Sequence, residues 1–325
     1  MSDTRTLLVT GAAGFIGSHT TIALLARGDH VVGLDNLNDY YDPARKRENL
    51  AEIGRVAPDA RRFTFVEGDI RDRALLEKLF AAHEFSGIAH LAAMAGVRVS
   101  VEDPWLYYDV NLTGTLNLLE AARSHDAPNF VFASTSSAYG NTKTVPFIET
   151  DAADRPLAPY PASKRAAELL GFSYHHLHGL DFTALRFFTV YGPRGRPDMM
   201  AYKLLDAMRT GQPMPLFNGG QMHRDWTFVE DIAQGIVAAL DRRLGYEVIN
   251  LGRGEPVLVA DFVKQLEVLA GKKAPVVTEP MMKADVGYTY ADIGKARRLL
   301  GYEPRVSVED GVKRFFEWYR AKVGS

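Results

Sequence analysis

Tyr160 and Lys164, four residues apart in the run YPASK, have the types and spacing for moving a proton. On a helix that spacing puts both side chains on one face, and Pro161 is compatible with a first-turn position. A phenol with its ordinary pKa of about 10 is a poor base near neutrality. A neighbouring ammonium stabilises the phenolate and makes it a usable one. Thr135 closes the apolar run NFVFAST (129–135), with Ser136 and Ser137 directly behind it. Its hydroxyl can bond the same substrate hydroxyl that the phenol would deprotonate. Tyr-x-x-x-Lys recurs by chance, and strand-end hydroxyls often only satisfy backbone groups. The constellation takes its meaning from the elements that carry it.

Those elements begin at the N-terminal end. Gly11, Gly14 and Gly17 lie in GAAGFIG, after the strand-like TLLVT (6–10) and opening the helical FIGSHTTIALLARG (15–28), which closes on Gly28. Glycines in such a turn let a pyrophosphate approach the backbone and use the N–H groups of the helix N-terminus. Asp35 ends the next strand-like run, HVVGLD (30–35), followed by Asn36. A carboxylate there accepts hydrogen bonds from both adenosine ribose hydroxyls and repels a 2′-phosphate, which favours NAD over NADP. The bland alternative is that Asp35 only caps a turn. Asp69 and Ile70, in GDIRD, fit a position near the adenine or an ordinary turn. The positive ring of an oxidised nicotinamide would add to the ammonium in stabilising a Tyr160 phenolate.

Further strand-like runs at 63–69, 87–93 and 129–135 alternate with helical stretches at 73–83 and 105–124. That alternation predicts βαβ units and an α/β Rossmann-type, doubly wound parallel sheet covered on both faces. From about residue 190 the texture turns Gly- and Pro-rich. The expected organisation is an NAD-binding unit over 1–188 and 225–252, with a smaller substrate-binding lobe over 189–224 and 253–325. The 325 residues are 46% hydrophobic and 24% charged, an ordinary globular balance. With no cysteine, disulfides, thiolate metal sites and cysteine nucleophiles are excluded. Lys plus Arg number 38 against 40 acids, so there is no nucleic-acid footprint, and no apolar run suggests a membrane span. The short first apolar run reads as a strand, not an export leader, so the expected location is the cytoplasm. His175, His176 and His178 read as the polar end of a helix before Gly179, not a metal site.

The chain resembles the extended short-chain dehydrogenase/reductase superfamily, in its branch of NAD-dependent nucleotide-sugar epimerases and dehydratases. The resemblance is carried by GAAGFIG, DNLNDYYDP (35–43), GDIRD (68–72), HLAAMAGVR (90–98), ASTSSAYG (133–140), YPASK (160–164) and RFFTVYGPRGRPDM (186–199), and by HRDWTFVEDI (223–232) and DVGYTYADIGKARRLLGY (285–302) in the C-terminal part. Within the branch it looks most like the UDP-glucuronate 4-epimerases. The resemblance implies an NAD-dependent cycle without net redox change, in which Thr135, Tyr160 and Lys164 form the catalytic triad around the sugar's 4-oxygen. It implies NAD contacts from Gly11, Gly14, Phe15, Ile16, Gly17, Asp35, Asn36, Asp69, Ile70, Leu91, Ala92, Ala93, Tyr160 and Lys164. It also implies a homodimer formed through the helices at 105–124 and 161–178.

Family dehydratases place an Asp-Glu pair where this chain has Ser136 and Ser137, which argues against dehydration. Thr189 stands where many family epimerases carry Asn. By resemblance Ser136, Ser137 and Thr189, with Arg196 in GPRGRPDM, suit a sugar carboxylate, which an arginine binds by charge-assisted bonds. The competing reading pairs Arg196 with Asp198 instead. Arg224 and Asp285 match the family's diphosphate-side arginine and ribose-side acid, backbone near Phe217 and Asn218 would hold the uracil, and Arg98 joins the substrate set. Met94 stands where uronate epimerases suggest a polar residue, and Met282 where glucose-type epimerases carry arginine. Oxidation of a uronate at C4 gives a β-keto acid prone to lose CO₂, so the hydroxyl cluster is expected to protect the product as well as select the substrate. The alternatives are a UDP-glucuronate decarboxylase, a UDP-glucose 4-epimerase and a non-catalytic NAD or nucleotide-sugar sensor.

Overall fold

The computed structural model describes residues 5–126 and 129–323, so the outer ends of the two expected units lie outside the described residues. In chain order the strands are β1 (Thr6–Thr10), β2 (His30–Asp35), β3 (Phe63–Glu67), β4 (Gly87–His90), β5 (Asn129–Thr135), β6 (Asp181–Phe187), β7 (Thr189–Tyr191), β8 (Met214–Phe217), β9 (His223–Phe228), β10 (Tyr246–Leu251), β11 (Pro256–Leu258) and β12 (Val276–Glu279). Seven of them form one sheet in the order β10-β6-β5-β4-β1-β2-β3, every pairing parallel. The strand order reverses between β1 and β4, and in such sheets that point opens a crevice at the strands' C-terminal ends.

Parallel strands covered on both faces must be apolar along their length, and all seven residues of β5 are buried. On one face, helix α1 (Phe15–Arg27) packs with the helix at Val229–Leu240 around Leu7, Val9, Val131 and Ile249. On the other, the helices at Arg73–Ala82, Gly114–Ser124 and Pro159–His178 cover Leu8, Ile88, Phe130 and Phe182. Gly28 stops α1 at φ 99, returning its N–H to the carbonyls of Leu24 and Leu25.

A second apolar core lies around Trp226, Phe228, Phe262 and Phe315, under the small sheets β11-β9-β7 and β12-β8. Trp226 and Phe262 stack there with ring centroids 4.0 Å apart. The aromatic run near the C-terminus serves the same core, with Phe315 and Tyr319 buried. Residues Gly294–Leu300 instead pack on β10, under the main sheet's core.

The stretch expected as one helix over 105–124 is broken. Pro104–Tyr108 and Gly114–Ser124 are α-helical, and Asp109–Thr113 between them forms a wider π turn. Asn111 accounts for the bulge: its side chain accepts from the Met94 N–H at 2.8 Å and donates to the Met94 carbonyl at 2.9 Å. The Thr115 hydroxyl donates to the Asn111 carbonyl at 2.6 Å. Such bulges concentrate at functional sites. Among the described residues no helix is long and apolar enough to cross a membrane.

Candidate active site

A cavity of about 320 Å³ opens at the strand-order reversal, lined by the glycine turn after β1, the ends of β2, β4, β5 and β6, and the start of the Pro159–His178 helix. The whole cofactor set expected from the sequence meets there: Gly11, Gly14, Phe15, Ile16, Gly17, Asp35, Asn36, Asp69, Ile70, Leu91, Ala92, Ala93, Tyr160 and Lys164.

Two glycines in the turn are sterically required. Gly11 has φ +71, and a Cβ there would stand 2.8 Å from the Ala92 backbone nitrogen. At Gly17 a Cβ would come within 1.9 Å of the Gly11 carbonyl oxygen. Helix α1 starts without a side-chain cap and without an acid in its first turn. Its first N–H groups therefore face an uncluttered concavity that fits a pyrophosphate. Asp35 is buried, its carboxylate accepting from the N–H of Ala13 at 3.1 Å and of Leu37 at 2.9 Å. Burial raises its pKa, against the Lys46 charge and the two N–H bonds. Asn36 donates to Asp69 at 2.9 Å, and Arg71 holds Asp69 down to about 2, outweighing its partial burial.

At the other end, Thr135 finishes β5 and its hydroxyl oxygen accepts from the Ser137 N–H at 3.1 Å, capping a short turn at Ser136–Tyr139. Tyr160 and Lys164 are one helical turn apart, and both line the cavity with Thr135. Burial raises the Tyr160 pKa, while the Arg196 charge and a Thr135 hydrogen bond pull it down. Lys164 is 1% exposed, and its ammonium sits 4.0 Å over the Phe132 ring. Among the described residues it has no hydrogen bond and no acid within ion-pair distance. Burial accordingly lowers its pKa to about 7, with Glu168 opposing. A buried ammonium with unused donors on the cavity wall fits the hydroxyls of a nucleotide ribose. Turn, carboxylate and ammonium together fit NAD.

Glu168, one turn beyond Lys164, is fully buried. It accepts from Arg186 Nε at 2.9 Å and Nη2 at 2.7 Å, and from the Ser134 hydroxyl. This network ties the helix to the ends of β5 and β6 that carry Ser134 and Arg186.

The residues expected for the sugar nucleotide separate into two groups. Thr189 and Arg196 line the cavity with the triad. Ser136 and Ser137 stand in the short turn directly after the lining residue Thr135, the Ser137 N–H bonding the Thr135 hydroxyl oxygen. Arg98, Phe217, Arg224 and Asp285 gather outside the cavity. Arg98 bonds Asp285 at 2.7 Å and lies 3.9 Å over the Phe217 ring, and the Asp285 charge acts on Arg224. Arg98 is three residues beyond Ala95, the last of a lining run that begins at Leu91. Asn218 is exposed next to Phe217. Met94 lines the cavity, buried, whereas Met282 is exposed away from it.

Arg196 pairs with Asp198 through two parallel bonds of 2.9 Å and still faces the cavity, so the two sequence readings of this residue coexist. Sequence reasoning gave no role to Asn38, Tyr40, Tyr41 and Lys46, which line the cavity beside Asp35. Lys46 stands 3.8 Å from the Asp35 carboxylate and donates to Asn38 at 2.8 Å. Their signal lay in DNLNDYYDP, where the cap Asp42 and Pro43 start the helix Pro43–Val56 that turns Lys46 inward.

Residues 7–252 match the NAD dependent epimerase/dehydratase family. A UDP-glucuronate 4-epimerase of Thermodesulfobacterium geofontis is 45% identical over 317 residues, covering 97% of this chain and 96% of that protein. Among solved structures, the UDP-glucuronic acid 4-epimerase of Bacillus cereus in complex with UDP-glucuronic acid and NAD superimposes with a TM-score of 0.90 at 36% identity, over 98% of this chain and 99% of that one. The UDP-glucose 4-epimerase of Thermotoga maritima with UDP-glucose gives a TM-score of 0.89 at 33% identity, over 98% and 100%.

Proposed function

Since the chain belongs to the NAD-dependent epimerase/dehydratase family, we propose that it is an isomerase interconverting UDP-glucuronate and UDP-galacturonate by inversion at C4 through a 4-keto sugar. The observation that carries this reading is the meeting of Thr135, Tyr160 and Lys164 with the Gly11–Gly17 turn and Asp35 in one cavity that also presents Thr189 and Arg196. NAD, when bound, supplies the hydride acceptor and donor at C4. Asp35 takes its adenosine ribose hydroxyls, the N-terminus of α1 its pyrophosphate, and Lys164 the second ribose.

Tyr160 removes the proton of the 4-hydroxyl as C4 is oxidised and returns it to the opposite epimer. The Arg196 charge and the Thr135 hydrogen bond make that phenol a better base than its buried position alone would allow. Thr135 holds the 4-oxygen through both half-reactions. Thr189 and Arg196 receive the sugar carboxylate, and Arg98, Phe217, Asn218, Arg224 and Asp285 the UDP moiety.

The enzyme acts as a homodimer in the cytoplasm. Dimerisation is supported by Trp105, 85% exposed, and by the exposed Leu169 and Phe172 on the neighbouring Pro159–His178 helix. Sedimentation of wild type against Trp105→Glu tests it, the variant being expected as monomer.

UDP-glucuronate deuterated at C4, turned over in ordinary water, tests the chemistry. The hydrogen taken from C4 is the one returned, so the UDP-galacturonate formed keeps its label. Loss of deuterium to solvent would overturn the mechanism.

A further inference from the structure

A second cavity, of about 270 Å³, lies where three segments distant in sequence meet. The helix Pro43–Val56 lends one face to it, the segment after β7 lends Arg194, and the C-terminal helix Val308–Val323 lends Trp318 and Lys322. Tyr41 lines this cavity and the active-site cavity alike. The epimerase chemistry uses none of the charged groups on its wall.

Those charges do not balance. Lys322 pairs with Glu48, and Glu52 is held from outside the cavity by Arg55, through bonds of 2.9 and 2.7 Å. Arg45 and Arg194 remain, and among the described residues neither has an acid within ion-pair distance. The Arg45 guanidinium lies 4.5 Å over the Tyr202 ring, a contact that leaves its in-plane donors free. Arg194 Nε is buried without a hydrogen-bond partner. Arg194 also holds φ +64, a left-handed conformation that a non-glycine residue keeps only where its surroundings enforce it. The enforcement is visible next door: the Pro193 carbonyl is bonded to His19 Nε2, on α1, at 2.9 Å. Burial lowers the Arg194 pKa, with the Glu52 and Glu230 charges opposing. A buried guanidinium with an idle donor is costly unless something pairs with it.

We propose that this cavity is a second binding site, for a small phosphate-bearing molecule whose phosphate takes the open donors of Arg194 and Arg45. A phosphate carries up to two charges near neutrality and three acceptor oxygens. It matches two uncompensated guanidiniums, whose planar forks bind it by charge-assisted bonds. A single carboxylate would leave one of the two unanswered. Trp318, half-buried on the same wall, gives a base somewhere to stack if the phosphate belongs to a nucleotide. The site is placed to act on the first one. Asn49, on its wall, donates to the Ala13 carbonyl of the glycine turn at 2.8 Å, and Arg196 is two residues beyond Arg194. A ligand joining the helix to the segment after β7 therefore braces the cofactor turn from behind.

Inorganic phosphate, titrated into the NAD-bound enzyme by calorimetry at constant ionic strength, tests the site. Binding should be saturable and should weaken at least about tenfold in Arg194→Gly, the scale of a charge-assisted hydrogen bond. Glycine accepts φ +64 without strain, so this variant should melt no lower than wild type when phosphate is absent. Arg45→Gln should weaken binding as well. Arg224→Gln, which alters the diphosphate side of the active site, should leave it intact. Phosphate should also slow NAD release from wild type and not from Arg194→Gly, and acetate should do neither. Uridine and adenosine monophosphates, titrated in the Arg224→Gln background, identify the source. Binding tighter than phosphate, and reduced by Trp318→Leu, means a nucleotide; equal binding means free phosphate. Absence of saturable binding, binding that survives Arg194→Gly or is lost in Arg224→Gln, or acetate binding as tightly as phosphate would overturn the inference.

Discussion

The cofactor wall and the sugar wall of the cavity are built in opposite ways. From Gly11 to Asp35 the cofactor wall is nearly continuous in sequence, and two of its donors are left open: the N-terminus of α1 has no side-chain cap, and Glu168, one turn from Lys164, is paired with Arg186 instead. On the sugar side, Arg196 holds Asp198, Arg98 holds Asp285, and Arg224 donates to the His223 carbonyl at 2.8 Å. A ligand meets open donors on the first wall and must exchange existing partners on the second. Open donors give retention of a permanent occupant. Exchange makes binding a difference between partners, which is where discrimination between sugars arises.

Tyr160 belongs to both walls, so breaking it should have the largest effect. Tyr160→Phe is expected to lower kcat by about 10³-fold or more, the upper range for a positioned acid–base group. Bound NAD and the affinity for UDP-glucuronate by calorimetry should remain near wild type, because the ring stays in place. Gly17→Ala attacks the cofactor wall alone: with a Cβ 1.9 Å from the Gly11 carbonyl, the turn must shift. The purified variant should lose its NAD, measured after denaturation, and melt several degrees lower.

Lys164→Met separates binding from stability. Burial lowers the folded pKa of Lys164 from 10.5 to about 7, so between those values the unfolded chain binds more protons. NAD-free wild type should therefore gain stability as pH rises through that window, and below about 7 the full cost of the buried charge remains. The variant should lose this slope and be a few kcal/mol more stable at neutral pH by denaturant titration, although inactive. A flat wild-type profile would mean that Lys164 is paired. The smallest effect belongs to one hydrogen bond on the sugar wall. Thr189→Val should raise KM for UDP-glucuronate about fivefold, the worth of one net hydrogen bond, and leave NAD content unchanged.

The same contrast explains what was legible in the sequence. The turn, Asp35, and the Tyr160–Lys164 spacing follow from strand ends and helix periodicity, which are local. The inward turn of Lys46 was not legible, because lysines at a helix start are ordinarily solvated and only tertiary packing beside Asp35 buries this one. Neither was the π turn at Asn111, which exists because its side chain bonds the backbone of Met94 on another segment. Ser136 and Ser137 share a run with Thr135, and the short turn they form directly after the strand could not be read from periodicity. The sugar wall joins segments more than a hundred residues apart, and periodicity is silent on which of their charges pair.

The most direct test of the central claim is turnover of UDP-glucuronate by the purified enzyme with no NAD added, followed by NMR. The account predicts UDP-galacturonate accumulating to a fixed ratio with no build-up of NADH, sustained by cofactor retained on the open wall. Pentose and CO₂ as the main products, or no turnover even with NAD while UDP-glucose reacts, would contradict it.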